Sequence, residues 1–305
     1  TMAGPHAIQQ SQFLPKNIAW KETITADEAE SADEKLRSIY NANQRLAKSV
    51  SDTVSKQEFF LVVGGDHSCA MGTWSGVSEA LGDDFGLIWI DAHCDAHTHE
   101  TSHTGNIHGM PVATLLGFGN EELAGIAHPE RKLKPENLVL IGVRDYEKEE
   151  HELLLSLGVK VFYDYDVREQ GIKAVFEQAL NHVRTNTKHY GLSFDLDGLD
   201  PKDIPAVGTP VPNGIDANDC LHELKQFSND PQLIGYEIVE FNPHFPFPRR
   251  AGAAPGRAPY SHTRTCTRTR AHGHVHTHTC TRTRAHAHVH THTCTRTRTH
   301  ARAHT

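Results

Sequence analysis

No run of the 305 residues approaches the roughly 18 consecutive apolar residues that a membrane span requires, and no membrane partner is expected. The N-terminus shows no charged stretch followed by an apolar one, so a secretory route is not expected either. Cysteine is scarce. Cys69, Cys94 and Cys220 lie in the body of the chain and Cys266, Cys280 and Cys294 near its end, which is not the pattern of a disulfide framework. A reducing, cytoplasmic setting is expected. Acidic residues disappear after residue 248: all 38 lie before it, with 19 of the 30 Lys and Arg, so the body carries −19 and the rest +11. An acidic body is a poor match for a polyanion, and no nucleic-acid partner is expected.

What is present is an alternation of two kinds of segment. Short apolar runs at 59–63 (FFLVV), 86–90 (GLIWI), 138–143, 160–163, 190–194 (YGLSF) and 233–239 read as strands. They are continuously apolar rather than alternating, as strands covered on both faces are. Segments 26–55, 71–80, 110–116, 147–157, 172–182 and 217–227 read as helices, with a long loop over 93–109. Strands alternating with helices predict an α/β protein, a three-layer α/β/α fold with a mostly parallel sheet.

After residue 245 the pattern changes. Residues 263–276, 277–290 and 291–304 are near-copies with a period of 14, in which His, Arg or Cys alternates with Thr, Ala, Gly or Val. Such alternation mimics a strand but has almost no apolar face to offset its ordering entropy. A catalytic domain over 1–245 and a disordered low-complexity tail over 246–305 are expected. The tail's composition is what a translated dinucleotide repeat would encode.

Chemistry gathers just beyond three of the strands. GGDH at 64–67, DAHCDAH at 91–97 and SFDLDGLDP at 193–201 supply His67, Asp91, His93, Asp95, Asp195 and Asp197. In open α/β sheets, ligands bind beyond the carboxyl ends of the strands, so the three strand ends are expected to converge. Asp91, His93 and Asp95 are spaced two apart, which in extended backbone puts them on one side. Aspartates suit hard dications, and the imidazoles tilt the choice towards manganese. Four aspartate charges balance two dications, which argues for two metals rather than one. Cys94 is turned away by the alternation and reads as a small buried residue; Asp66 and Asp200 read as caps of turns.

These motifs resemble those of the arginase (ureohydrolase) family. They stand in the family's order, with a matching GNIHG loop at 105–109, and the resemblance runs from about residue 4 to about residue 245. It implies an arginase-like fold and a cytoplasmic hydrolase that cleaves the guanidinium group of L-arginine to L-ornithine and urea. By resemblance, one Mn2+ takes His67, Asp95, Asp91 and Asp195, the other His93, Asp197 and the same bridging Asp91 and Asp195. A hydroxide bridging the two Mn2+ is the implied nucleophile, aimed by Asp95. His108 matches a mobile proton-transferring histidine, and Glu240 a glutamate that pairs with the substrate guanidinium. Asn106 and Thr104 match residues that touch the α-carboxylate, and Ser102 replaces a threonine. His97 stands where the family has an asparagine, and Glu147, two residues after Asp145, where an aspartate binds the α-amine. Another ureohydrolase, an agmatinase or a formiminoglutamase, is the alternative enzyme, though GNIHG is the arginase form of the loop; an inactive product of a faulty gene model is the alternative of a different class. Family members begin with a strand before Gly4-Pro5 and continue past FNP at 241–243 into a last helix, so a sheet short of an edge strand and of that helix is one expectation. Assembly as a homo-oligomer, a trimer or hexamer, is another.

Overall fold

The computed structural model describes residues 1–14, 18–227 and 229–245, and the backbone of 263–269, 275–281 and 294–296. The chain divides into two compact units, Thr1–Pro248 and Arg249–Thr305.

In the first unit the order is α1 (Gly4–Gln9), α2 (Ala32–Val54), β1 (Phe60–Val63), α3 (Ala70–Leu81), β2 (Phe85–Ile90), α4 (Pro111–Leu115), α5 (Glu121–Ala124), β3 (Leu138–Val143), α6 (Lys148–Leu157), β4 (Lys160–Tyr163), α7 (Asp164–Gln170), α8 (Ile172–Asn186), β5 (His189–Asp195), α9 (Ala217–Phe227) and β6 (Leu233–Val239). The six strands form one sheet, β1-β6-β5-β2-β3-β4, and every pair is parallel. The fold is the expected three-layer α/β/α arrangement.

Its layers follow from strand periodicity. Phe85, Leu87 and Trp89 of β2 and Leu138 and Leu140 of β3 join one core with Val50, Trp74, Val77 and Leu154 of α2, α3 and α6. The alternate residues, Ile88, Ile90, Val139 and Ile141, face a second core with Val175, Phe176, Ala179 and Val183 of α8 and Cys220 of α9. Side chains two apart share a face, so a strand apolar throughout serves two cores. On the first face α2 packs closely on α3: a Cβ at Gly76 would lie 2.3 Å from the carbonyl oxygen of Ala47.

Some boundaries differ from expectation for visible reasons. Helix α2 begins at Ala32, not residue 26, because Ser31 caps it: its hydroxyl accepts the Glu34 N–H and the Glu34 carboxylate accepts the Ser31 N–H. Helix α7 was not expected; it has no apolar stripe and begins where β4 ends. Helix α8 runs four residues further than expected, to Asn186. The chain enters through α1 rather than a strand, and β1 and β4 are the outer strands of the sheet.

In the second unit, β7 (Thr263–Thr269), β8 (Val275–Thr281) and β9 (Cys294–Arg296) pair antiparallel in the order β7-β8-β9. The rest of the segment expected to be disordered lies outside the described residues.

Gly191, in β5 between β6 and β2, tests the packing. A Cβ there would lie 2.1 Å from the ring of the fully buried Trp74. Gly191→Ala is expected to cost about 1–3 kcal/mol by overpacking. This would appear in urea unfolding as a lower midpoint at unchanged slope.

Candidate metal centre

The three strand ends converge as their sequence suggested. β1 leads through Gly64 and Gly65 to a 3-10 turn at His67–Cys69, capped by Asp66, which accepts the Ser68 N–H. β2 delivers Asp91, and β5 ends on Asp195 with Asp197 in the following turn. His67 Nδ1 lies 3.0 Å from Asp91 Oδ2, 3.1 Å from Asp95 Oδ2 and 3.1 Å from Asp195 Oδ2. His93 Nδ1 lies 3.3 Å from both Asp91 Oδ1 and Asp197 Oδ2. Asp91 therefore presents one oxygen to each group. All four aspartates are buried, as is His67, while His93 is partly open.

The segment 91–95 does not reach these positions as extended strand. Asp91 Oδ1 accepts the His93 N–H at 2.7 Å, folding the chain back, and Asp95 takes a left-handed backbone with φ 50°. The turn, rather than strand alternation, brings Asp91 and Asp95 to His67 while His93 faces Asp197. Cys94 points into the apolar core, as expected of it.

The hydrogen bonds behind His67 fix which nitrogen faces the carboxylates. Ser193 donates its one hydroxyl proton to Glu237 Oε2 at 2.7 Å, so it must accept from His67 Nε2, 2.9 Å away. Glu237 is fully buried and also accepts from Thr73 Oγ1 and Trp74 Nε1. The His67 ring stacks on Trp89 at 4.0 Å, and the Trp89 N–H donates to Asp91. A proton held on Nε2 leaves the Nδ1 lone pair facing three carboxylates. Nδ1 and Asp95 Oδ2 are buried without a hydrogen-bond partner. A cation between them satisfies both, and orientation of an imidazole through its far nitrogen is how metal-binding histidines are held. The donor set, imidazole and carboxylate oxygen, fits a divalent metal.

Titration reflects the same crowding. Burial opposes charge on His67, but Asp195, Asp91 and Asp95 outweigh it and hold the ring well above the usual imidazole range. Burial likewise opposes charge on His93, and Asp197 and Asp91 push it up to about 12. Asp95 rises to about 6 through burial and the Asp91 charge, and burial also raises Asp195. Burial pulls Asp91 up, but the two imidazoles overcome this and hold it far below the usual range.

The other expected site residues divide. Glu240 is buried in a left-handed conformation with φ 68°, its Oε1 accepts the His67 N–H at 2.9 Å, and burial pushes it up to about 8. His108 Nδ1 lies 3.8 Å from Glu240 Oε1, at the mouth of an open cleft that His67, His93, Asp95, His97, Glu147 and Glu240 also line. Asp145 is largely exposed, 3.9 Å from His93 Nε2. Ser102, Thr104 and Asn106 do not line this cleft: they lie on the 93–109 loop, where Ser102 Oγ accepts the Gly105 N–H and Thr104 Oγ1 the Asn106 N–H. Sequence reasoning missed Thr209, whose hydroxyl donates to Asp197 Oδ2 at 2.8 Å, and gave no role to Arg144. The Arg144 guanidinium donates to six backbone carbonyls, among them those of Asp197, Gly198 and Leu199, and so ties down the turn that carries Asp197. Sequence reasoning also missed Glu150, beside His97 and Glu147.

A parallel α/β/α sheet with a buried carboxylate and imidazole centre at its strand ends, fit to hold divalent metal beside an open cleft, defines a metal-dependent hydrolase class. The family model described as the Arginase family matches residues 1–254. The arginase of Brevibacillus brevis is 44% identical over 208 residues, covering 68% of this chain and 70% of that protein. The arginase of Bacillus subtilis (strain 168) is 40% identical over the same length, with 68% and 70% covered. The solved arginase of Bacillus caldovelox superimposes with a TM-score of 0.68 at 39% identity, over 72% of this chain and 75% of that one. The Entamoeba histolytica arginase in complex with L-ornithine gives 0.67 at 33%, over 73% and 76%. This chain belongs to the arginase family and is a hydrolase of that family. Among the described residues no helix is long and apolar enough to cross a membrane.

The metal-free protein should show a characteristic pH dependence. Asp95 and Glu240, raised to about 6 and about 8, bind protons in the folded state that the unfolded chain releases near pH 4. His93, raised to about 12, contributes stability that is present in full below about 6.5 and is lost as pH rises. Both terms have one sign: folding binds protons, so stability falls as pH increases. Thermal melts of chelator-treated protein are expected to drop steadily from pH 5 to pH 8.5, and added dication should restore most of the loss. A melting temperature that rises over that interval without metal would contradict this.

Proposed function

We propose that the chain hydrolyses the guanidinium group of L-arginine to L-ornithine and urea, with two Mn2+ at the strand-end centre. The observation that carries this reading is the pair of His/Asp groups sharing Asp91, with a buried carboxylate, Glu240, beside them and facing the same cleft. His67, Asp91, Asp95 and Asp195 would hold one ion, and His93, Asp197 and the shared carboxylates the other. Two dications there supply Lewis acidity and lower the pKa of a water from about 15.7 towards about 7.

The chain's own residues do the rest. Glu240 is fixed at one oxygen by the His67 N–H, which leaves the other for the N–H groups of a guanidinium. A planar cation with several donors is matched by a carboxylate held in this way. Asp95, which also lines the cleft, would accept a hydrogen bond from the nucleophile and aim it as the C–O bond forms at the guanidinium carbon. His108, half-exposed at the cleft mouth, passes a proton to the departing amine nitrogen as the C–N bond breaks. Asn106 and Thr104 receive the α-carboxylate once the loop adjusts to substrate, with Ser102 beside them. The described structure of the Entamoeba relative holds L-ornithine, the amino-acid product expected here.

On the same reading the reaction is cytoplasmic, the protomers assemble as a homo-oligomer, a trimer or hexamer, and the repeat tail over 246–305 takes no part, since every residue invoked precedes it.

Urea release separates arginine from its decarboxylated analogue. With Mn2+-loaded protein, kcat/KM for L-arginine is expected to exceed that for agmatine by on the order of 100-fold or more, because a site built to pair a polar group rejects a ligand that lacks it. Equal or better use of agmatine would overturn the assignment of substrate.

A further inference from the structure

The second unit has a chemistry of its own. Strands β7, β8 and β9 read TRTCTRT, VHTHTCT and CTR. Alternate residues of a strand share a face, so one face of each strand carries Thr or Val alone and the other Cys, His or Arg alone. No Asp or Glu follows residue 248. A face without carboxylate offers nothing to the hard dications that suit aspartate oxygens. Thiolate with imidazole is instead the donor set of zinc and softer metals.

Register gathers the donors. Cys266, Cys280 and Cys294 recur at the 14-residue period of the repeat. The first pairing sets Cys266 opposite His278, and the second sets Cys280 opposite Cys294. Opposed residues of an antiparallel pair lie on one face, with Cα atoms about 4.5–5.5 Å apart. His278 and Cys280 are alternate residues of β8, about 7 Å apart along the strand. Three cysteines and a histidine therefore occupy adjoining positions on one face of the sheet, and β8 supplies the central two. Two alternate residues of one strand and an opposed residue of the next span a triangle of the size a tetrahedral ion requires, with thiolate donors at about 2.3 Å from the metal and about 3.8 Å from one another. A slip of one residue would set every Cys, His and Arg opposite Thr or Val and send the donors of neighbouring strands to different faces. Three thiolates outweigh one dication by a single charge, and Arg264, paired with Cys280, and Arg296, paired with His278, meet the surplus.

We propose that the second unit is a metal-binding module of its own: the Cys/His face of β7, β8 and β9 holds a thiophilic dication such as Zn2+, chemically distinct from the oxygen-rich strand-end centre. This stands apart from the arginine reading and does not depend on it.

The test uses the full chain in excess Mn2+, with a phosphine reductant to keep the thiols free. Cd2+ serves as the probe, because its thiolate bonds give an ultraviolet charge-transfer band. The strand-end donors, imidazole and carboxylate, give none. The band is expected to grow in proportion to added Cd2+ up to about one ion per chain, and Zn2+ should remove it by competition. Cys280→Ser, at the centre of the group, should weaken Cd2+ binding by at least about tenfold, the least that loss of even an outer partner costs a metal site. Cys280→Thr combined with Thr281→Cys keeps the composition and moves the cysteine to the Thr face, and should weaken binding as much. Absence of the band at one equivalent of Cd2+, full affinity in Cys280→Ser, or wild-type affinity in the face-swapped variant would each overturn the proposal. The last result would show that the tract binds metal by composition and not by the register of its strands.

Discussion

Four buried aspartates held at the ends of neighbouring parallel strands repel one another, and the rest of the site is arranged around that repulsion. At an effective dielectric constant near 20, two like charges about 4 Å apart cost about 4 kcal/mol. Two imidazoles face the cluster, but one has its outer nitrogen committed elsewhere: Ser193, obliged to donate to Glu237, accepts the His67 Nε2–H and turns the Nδ1 lone pair inward. A lone pair and three carboxylates converging on one point is an arrangement that favours a cation. Protons can meet that demand in part, which is why both histidines are held above their usual range. Divalent ions meet it better, with charges that balance.

The surroundings hold the cluster in place. Glu237 ties His67 to Thr73 and Trp74 of α3, so the imidazole is braced against the helix that follows its own strand. Arg144 gathers six carbonyls from three segments and fixes the turn after β5. Glu240 is bonded to the backbone of His67, which couples the end of β6 to the turn after β1. The Glu240 carboxylate, proposed to meet the substrate, and His67, proposed to meet metal, are therefore linked by one hydrogen bond. Catalysis by such a site depends on holding reacting groups within a fraction of an ångström, and rigid strand ends provide that.

The sequence revealed most where residues carry both pattern and chemistry. Strands β3, β4 and β6 and helix α9 have the boundaries their apolar runs suggested, because buried parallel strands leave an uninterrupted signature. The six metal-binding candidates were legible because His and Asp at strand ends have few other uses, and the structure brings all six together. Less visible were residues that act through the fold. Glu237 sits in an apolar strand and looks like an interruption until Ser193 and Trp74 are beside it. Arg144 reads as a surface charge, since its acceptors are backbone carbonyls. Thr209 and Glu150 are ordinary in sequence and meaningful only by position. The spacing of Asp91, His93 and Asp95 suggested one side of an extended strand; a turn with a left-handed Asp95 delivers them instead, with Asp91 and Asp95 against His67 and His93 against Asp197. Helix α7, polar and capped by local contacts, offered no periodicity to read.

The central claim is that one shared carboxylate, Asp91, joins two metal positions into a single centre. Electron paramagnetic resonance during Mn2+ titration of the metal-free chain addresses it directly. The account predicts uptake of about two ions per chain and, at saturation, the broadened spectrum of a spin-coupled pair of bridged dications. Saturation at one ion, or two ions that keep the resolved hyperfine pattern of isolated Mn2+, would contradict it.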